Sequence, residues 1–170
     1  DLPGNALPTS SQNTWRIVKL AALNGGTVAT DRRFFSVPDV VNTRSDSIAF
    51  DAVLVGSGDR TNPKATDVLN RFYMIRDEQL TPYVTAQPSS TACATPGATD
   101  FRCKLPLTDL MAPNNDFYDA TANLVQTGNT SQQIAAQAAL AAAHGWYIDL
   151  TAIGEKATAR SLTIYGKVFF

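Results

Sequence analysis

Apolar and polar residues alternate in short runs along most of the chain. TWRIVKL at 14–20 places Trp15, Ile17 and Lys19 on one side and Arg16, Val18 and Leu20 on the other, which is the period of a strand. Asn24, Gly25 and Gly26 predict a turn, and RRFFSVPDVV at 32–41 predicts a short strand that Pro38 ends or places at an edge. SIAFDAVLVGSGD carries the strongest strand signal. Phe50, Ala52 and Leu54 fall on one face and Val53 and Val55 on the other, so both faces are expected to be buried, with Gly56 and Gly58 closing the strand sharply. LNRFYMIRDEQ predicts a further strand around Phe72 to Ile75, and GWYIDL another. SLTI and KVFF, joined by Tyr165 and Gly166, predict a hairpin.

Two regions break this rhythm. Residues 80–116 contain prolines and little periodicity, and a loop of that length inside a compact domain reads as an insertion. SQQIAAQAALAAA predicts the single helix, at about 131–144, with Ser131 as N-cap and Gly145 as the stop. DFYDATANLVQTG fits a short strand or a helical turn equally well. Many short strands and one helix predict an all-β protein with insertions.

Composition narrows the function classes. Of 170 residues, 44% are hydrophobic and only 17% charged, which suits a folded chain with a neutral polar surface. The 14 Lys and Arg against 15 Asp and Glu give a formal net charge of −1, and the basic residues are scattered, so nucleic-acid binding is not expected. No apolar stretch reaches the roughly 18 to 20 residues of a membrane span. The abrupt opening at Asp1 and the strand pattern Lys167, Val168, Phe169, Phe170 at the close lead us to expect a piece of a single larger domain, covering 1–170.

Candidate chemistry is sparse. Cys93 and Cys103 flank Pro96 and Gly97 in the most turn-rich part of the chain, a setting that predicts a structural disulfide stapling the 80–116 insertion; two free thiols are the alternative. Two cysteines alone do not supply the four ligands of a zinc site. His144, the only histidine, follows the predicted helix, where its charge would complement the C-terminal dipole; nothing with nucleophile-elbow spacing accompanies it. GSGDR lacks the Lys and Ser/Thr of a phosphate-binding loop, and a strand-ending turn accounts for its glycines. Asp77, Glu78, Asp149 and Glu155 stand at predicted strand ends, either stabilising turns or presented as ligands on a rim. Trp15, Trp146 and the Phe and Tyr residues within alternating strands are expected in the core. No catalytic, cofactor-binding or metal residues are assigned.

A repeat is also visible. RFYMIRD and GWYIDL each place an aromatic pair before an aliphatic and an acidic residue, and the second leads through Gly154, Glu155 and Lys156 into SLTIYGKVFF. This order resembles a quinoprotein-type β-propeller, of which the chain would hold about three blades or fewer. AFDAVLVGSGDR, RFYMIRD, DFYDATANLVQ and GWYIDLTAIGEK, in that order, with RRFFSVPDVV and the opening DLPGN, resemble the C-terminal β-propeller of the PilY-type type IV pilus biogenesis factors, which are pilus-tip adhesins.

The resemblance implies an exported, non-enzymatic module at the bacterial cell surface, the pilus tip or the periplasm, supporting pilus assembly and extension, opposing retraction, and serving adhesion and twitching motility. Its implied partners are the remainder of the propeller, pilins or minor pilins, and a host-surface ligand. The family's calcium is held by an Asp-rich loop with alternating acidic ligands; Asp46, Asp51 and Asp59 are too far apart to form one, so calcium is expected in the parent protein outside these residues. Two other functions share the geometry: a quinone-cofactor-dependent dehydrogenase-like propeller, and a lectin-like adhesion module that uses the 80–116 insertion.

Overall fold

The computed structural model describes residues 20–45, 48–78 and 117–170. Strand outweighs helix in these residues, as an all-β reading requires, and the strands form a five-stranded and a two-stranded sheet. The larger sheet contains β1 (Asp39–Ser45), β2 (Ile48–Gly56), β3 (Arg71–Asp77), β4 (Tyr118–Asp119) and β5 (Gly145–Asp149), in the order β1-β2-β3-β5-β4. The first four in that order are antiparallel neighbours, so they make a meander; the short β4 joins the outer edge of β5 in parallel. Two helices, α1 (Leu124–Thr127) and α2 (Thr130–Ala142), lie between β4 and β5. A hairpin, β6 (Leu162–Ile164) and β7 (Lys167–Phe169), follows.

The alternation in β2 and β3 decides how the layers stack. Phe50, Ala52, Leu54, Phe72 and Met74 point to one face with Trp146 of β5 beside them, and Leu150, Ala157 and Val168 from the chain after β5 cover them. Val55, Tyr73 and Ile75 point to the other, under Phe117, Tyr147 and the incoming Leu20, Ala21, Leu23 and Phe34. Chain order thus becomes layer order: the segment before the meander covers one face and the segment after it covers the other. At roughly 25 cal/mol per Å² of apolar surface removed from water, burial on both faces makes β3 the anchor of the fold. The β6–β7 turn follows its sequence as well, with Tyr165 and Gly166 at φ 49° and 72°, the left-handed pair of a two-residue I′ turn.

Several expectations need correction. RFYMIRD and GWYIDL do not occupy equivalent places in two successive repeats: they are β3 and β5, paired with each other through Tyr73 and Tyr147 and through Met74 and Trp146. Their likeness reflects the shared demand of neighbouring, two-sided strands. Residues 32–38 form no strand, and β1 begins only at Asp39, because Arg32 and Phe34 turn in to cover the sheet instead of joining its ladder. The helix runs from Thr130 to Ala142, and its cap is Asn129: the Asn129 side chain accepts from the Gln132 N–H at 3.0 Å while Gln132 Oε1 accepts from the Asn129 N–H at 2.9 Å. Ser131 instead donates to Asn129 Oδ1. Gly145 does not stop the helix but opens β5. The ambiguous segment at 116–128 supplies both a strand, β4, and a helical turn, α1. The strand predicted at 14–20, apart from Leu20, the 80–116 insertion and the Cys93–Cys103 disulfide lie outside the described residues.

Candidate functional site

The polar chemistry gathers at the end of the sheet where β3 begins and β5 ends. Antiparallel register sets Arg71 opposite Asp149. Arg71 Nε donates to Asp149 Oδ1 at 2.6 Å, with the two side chains 12% and 18% exposed, and the guanidinium lies over the Tyr147 ring, 3.8 Å from its centroid. Burial alone would lower the Arg71 pKa, but the Asp149 hydrogen bond together with the charges of Tyr73, Asp149 and Tyr147 outweighs it and raises it. Asp149 is steadied in turn by β4: its N–H donates to Thr121 Oγ1 at 2.9 Å, and the Thr121 N–H donates to Asp119 Oδ1 at 2.9 Å. Burial pushes the Asp119 carboxyl up, yet the Thr121 bonds and the nearby Tyr147 hydroxyl hold it below the ordinary carboxylate range.

Two further groups complete this cluster from within the layer. Arg32 is 4% exposed, and its Nε donates to the Leu69 carbonyl at 2.9 Å. Burial lowers the pKa of its guanidinium; the Tyr73 phenol and the more distant Asp149 oppose that shift, and Arg71 adds to it. Tyr73 is fully buried in the centre of the sheet, and that burial pushes its phenol up against the opposing pull of the Arg32 and Arg71 guanidinium groups.

A second polar knot fastens the GSG turn. Ser57, fully buried, donates from Oγ to Asn70 Oδ1 at 3.1 Å and accepts from the Arg71 N–H at 2.9 Å, while Asn70 Nδ2 donates to the Glu155 carbonyl at 3.0 Å. The Ala157 N–H closes on the Ser57 carbonyl at 3.0 Å. This approach explains Gly56: a Cβ there would lie 2.2 Å from Ala157 Cβ. Lys156 Nζ donates to the carbonyls of Gly154, Pro63 and Ala65, tying the turn after β5 to the segment that follows the GSG turn.

Of the acidic residues expected at strand ends, Glu155 braces its own turn by accepting from the Ala152 N–H at 3.0 Å, and Asp149 is an ion-pair partner. Asp77 is buried at the end of β3. The His144 carbonyl accepts from the Arg76 N–H at 2.8 Å, which ties the start of β5 to β3. Trp146 packs against the first core, as expected. Among the described residues no three His, Cys, Asp or Glu are gathered as a metal site would require, and no helix is long and apolar enough to cross a membrane.

On the opposite side of β5, a cleft of about 470 Å³ opens between the sheet edge and the helices, with Trp146, Ile148, Tyr118 and Leu140 as apolar walls and Thr121, Asn123 and Gln126 as polar ones. Its mix of aromatic walls and amide groups suits a small neutral ligand better than an ion. Sequence reading missed both the cleft and the arginine cluster. Arg32, Arg71 and Asp149 are far apart along the chain, and only the register joins them; the available hint was a charged residue at the mouth of a strand buried on both faces.

The ion pair has a measurable consequence. Asp149→Ala removes the carboxylate bonded to Arg71 Nε, and unfolding in urea is expected to show a loss of about 3 kcal/mol. A double variant that also carries Arg71→Met is expected to recover part of that loss; a single-variant change below about 0.5 kcal/mol, the range of ordinary surface substitutions, would contradict the assignment. Compared with protein-family models, curated proteins and solved structures, the chain shows no match.

Proposed function

We propose that this chain is a non-enzymatic module of a PilY-type type IV pilus biogenesis factor: one blade of a quinoprotein-like β-propeller and the opening hairpin of the next, exported to the cell surface and pilus tip. The observation that carries this reading is the meander β1-β2-β3-β5, four antiparallel strands with the preceding chain packed on one face and the following hairpin on the other. Propeller blades are four-stranded sheets stacked face to face in chain order. The segments that resemble the family also fall on the strands and turns of this unit: AFDAVLVGSGDR on β2 and its turn, RFYMIRD on β3, GWYIDLTAIGEK on β5 and the turn beyond it.

In this role the module works by shape. Its polar knots hold the turns between layers, and its apolar faces join the remainder of the propeller, which presents the assembly to pilins, minor pilins and a host-surface ligand. Calcium belongs to the parent protein, outside these residues.

The test is an in-frame deletion of the segment encoding 39–170 in the bacterium that carries the gene. Surface pilin recovered by shearing and the twitching zone are both expected to fall, with pili regained when the retraction motor is also removed. Unchanged piliation and motility would reject the reading. Turnover of an alcohol by the purified protein, given calcium and pyrroloquinoline quinone, would replace it with the dehydrogenase.

A further inference from the structure

We propose that the cleft between the edge of the large sheet and the two helices binds one neutral pyranose sugar. Its volume is about 470 Å³, within the roughly 300 to 1,000 Å³ of small-molecule sites. Register builds its aromatic side. Tyr118 of β4 and Trp146 of β5 are partners in the parallel ladder, so they stand side by side on one face of the sheet, and both line the cleft half-buried. Trp146 is held in place by Phe72, whose ring is tilted against it at 6.3 Å. The C–H groups on the flat face of a pyranose carry partial positive charge and are attracted to the negative faces of such rings. Among the described residues no charged side chain lines the cleft, so an ionic ligand would leave water without a counter-charge.

The amide groups of Asn123 and Gln126 are the independent observation. Asn123 stands at φ 48°, where the chain bends into α1, and its Nδ2 donates to Gln126 Oε1 at 3.2 Å. This bond joins the two side chains into one polar unit on the cleft wall, and it leaves Asn123 Oδ1 as an acceptor and Gln126 Nε2 as a donor without partners among the described residues. A ligand that is only apolar would strip water from both groups and return nothing. Sugar hydroxyls both donate and accept, so one can donate to Asn123 Oδ1 while another accepts from Gln126 Nε2, with the ring against the aromatic side. The pyranose is thus the ligand class that answers both walls at once: flat apolar faces for Trp146 and Tyr118, and a rim of neutral hydroxyls for the amides. The inference is independent of the pilus reading and uses no residue of the 80–116 insertion.

The experiment is calorimetric titration of the full 170-residue chain with methyl β-glucopyranoside, whose hydroxyls all lie at the ring's rim. Saturable one-site binding is expected for the wild type. Open-chain sorbitol, which has the hydroxyls without the flat ring, and cyclohexanol, which has the ring without the array of hydroxyls, are each expected to bind at least about tenfold more weakly. Gln126→Ala and Asn123→Gly are each expected to weaken the glucoside by about three- to tenfold. Glycine suits the left-handed backbone at 123, so the bend into α1 is kept. Should Asn123→Gly nonetheless fail to fold, the Gln126→Ala arm decides, because Gln126 is exposed and its side chain bonds Asn123. Gln137→Ala, on the exposed part of α2 and outside the cleft, is expected to bind as the wild type does. No saturable binding by the wild type, or equal binding by Gln126→Ala and the wild type, would overturn the site. Cyclohexanol or sorbitol binding as tightly as the glucoside would overturn the sugar assignment as well.

Discussion

Gly145→Ala is expected to lower stability by about 3 to 5 kcal/mol, enough to unfold the meander or nearly so. Gly145 opens β5 opposite Ile75, at φ 152°, a backbone conformation that residues with a Cβ rarely adopt. A Cβ at this position would lie 2.1 Å from the Met74 carbonyl oxygen and 3.1 Å from Ile75 Cα. These are backbone atoms of the adjacent strand, so no side chain can swing aside to make room. Relief requires β5 to pull away from β3, which breaks the ladder holding Trp146 and Tyr147 in both cores. Urea unfolding measures the loss, and amide exchange at Met74 and Trp146 locates it. A change below about 1 kcal/mol would show that the two strands are less closely joined than described.

Phe72→Ala is expected to cost about 3 to 5 kcal/mol and to free the β6–β7 hairpin from the sheet. Phe72 is 0% exposed in the centre of the first core. It stacks on Phe170 with centroids 3.9 Å apart and planes 14° from parallel, and tilts against Trp146 at 6.3 Å. The benzyl group is therefore the main contact between the meander and the layer that follows. Its removal is expected to abolish exchange protection at Thr163 and Val168 before that of β2 and β3 is lost. Phe169→Ala, on the outer face of the same hairpin and 56% exposed, is expected to change stability by less than about 0.5 kcal/mol. Equal losses from the two variants would remove the distinction between the faces of the hairpin, and with it the layered packing that the proposed propeller requires.

Much of this architecture was legible from side-chain order. The alternation of Phe50, Ala52 and Leu54 with Val53 and Val55 identified β2 and its two buried faces, because a pleated strand directs successive residues to opposite sides. Tyr165-Gly166 marked the hairpin turn, since a two-residue connection needs two left-handed residues. Local pattern misled where a residue's partner lay elsewhere. RRFFSVPDVV has the composition of a strand throughout, yet Arg32 and Phe34 are used to cover the sheet. Asn129 and Ser131 are both good N-caps, and the reciprocal bonds with Gln132 select Asn129. The aromatic likeness of RFYMIRD and GWYIDL suggested distance between them, whereas they touch along their length.

The candidate site was the least legible part of the molecule. Nothing in the spacing of Arg32, Arg71, Tyr73 and Asp149 signals a cluster, because electrostatic partners are chosen by proximity in space and the chain encodes only their order. By itself, the sequence determined that the central stretches become strands, which turn is tight, and that those strands are buried twice, since these depend on neighbours within a few residues. Only the tertiary structure decided that β3 and β5 are partners, that Gly145 must remain without a side chain, and that Arg71 and Asp149 meet as an ion pair. Each of those follows from register and stacking, where residues dozens of positions apart compete for the same few ångströms.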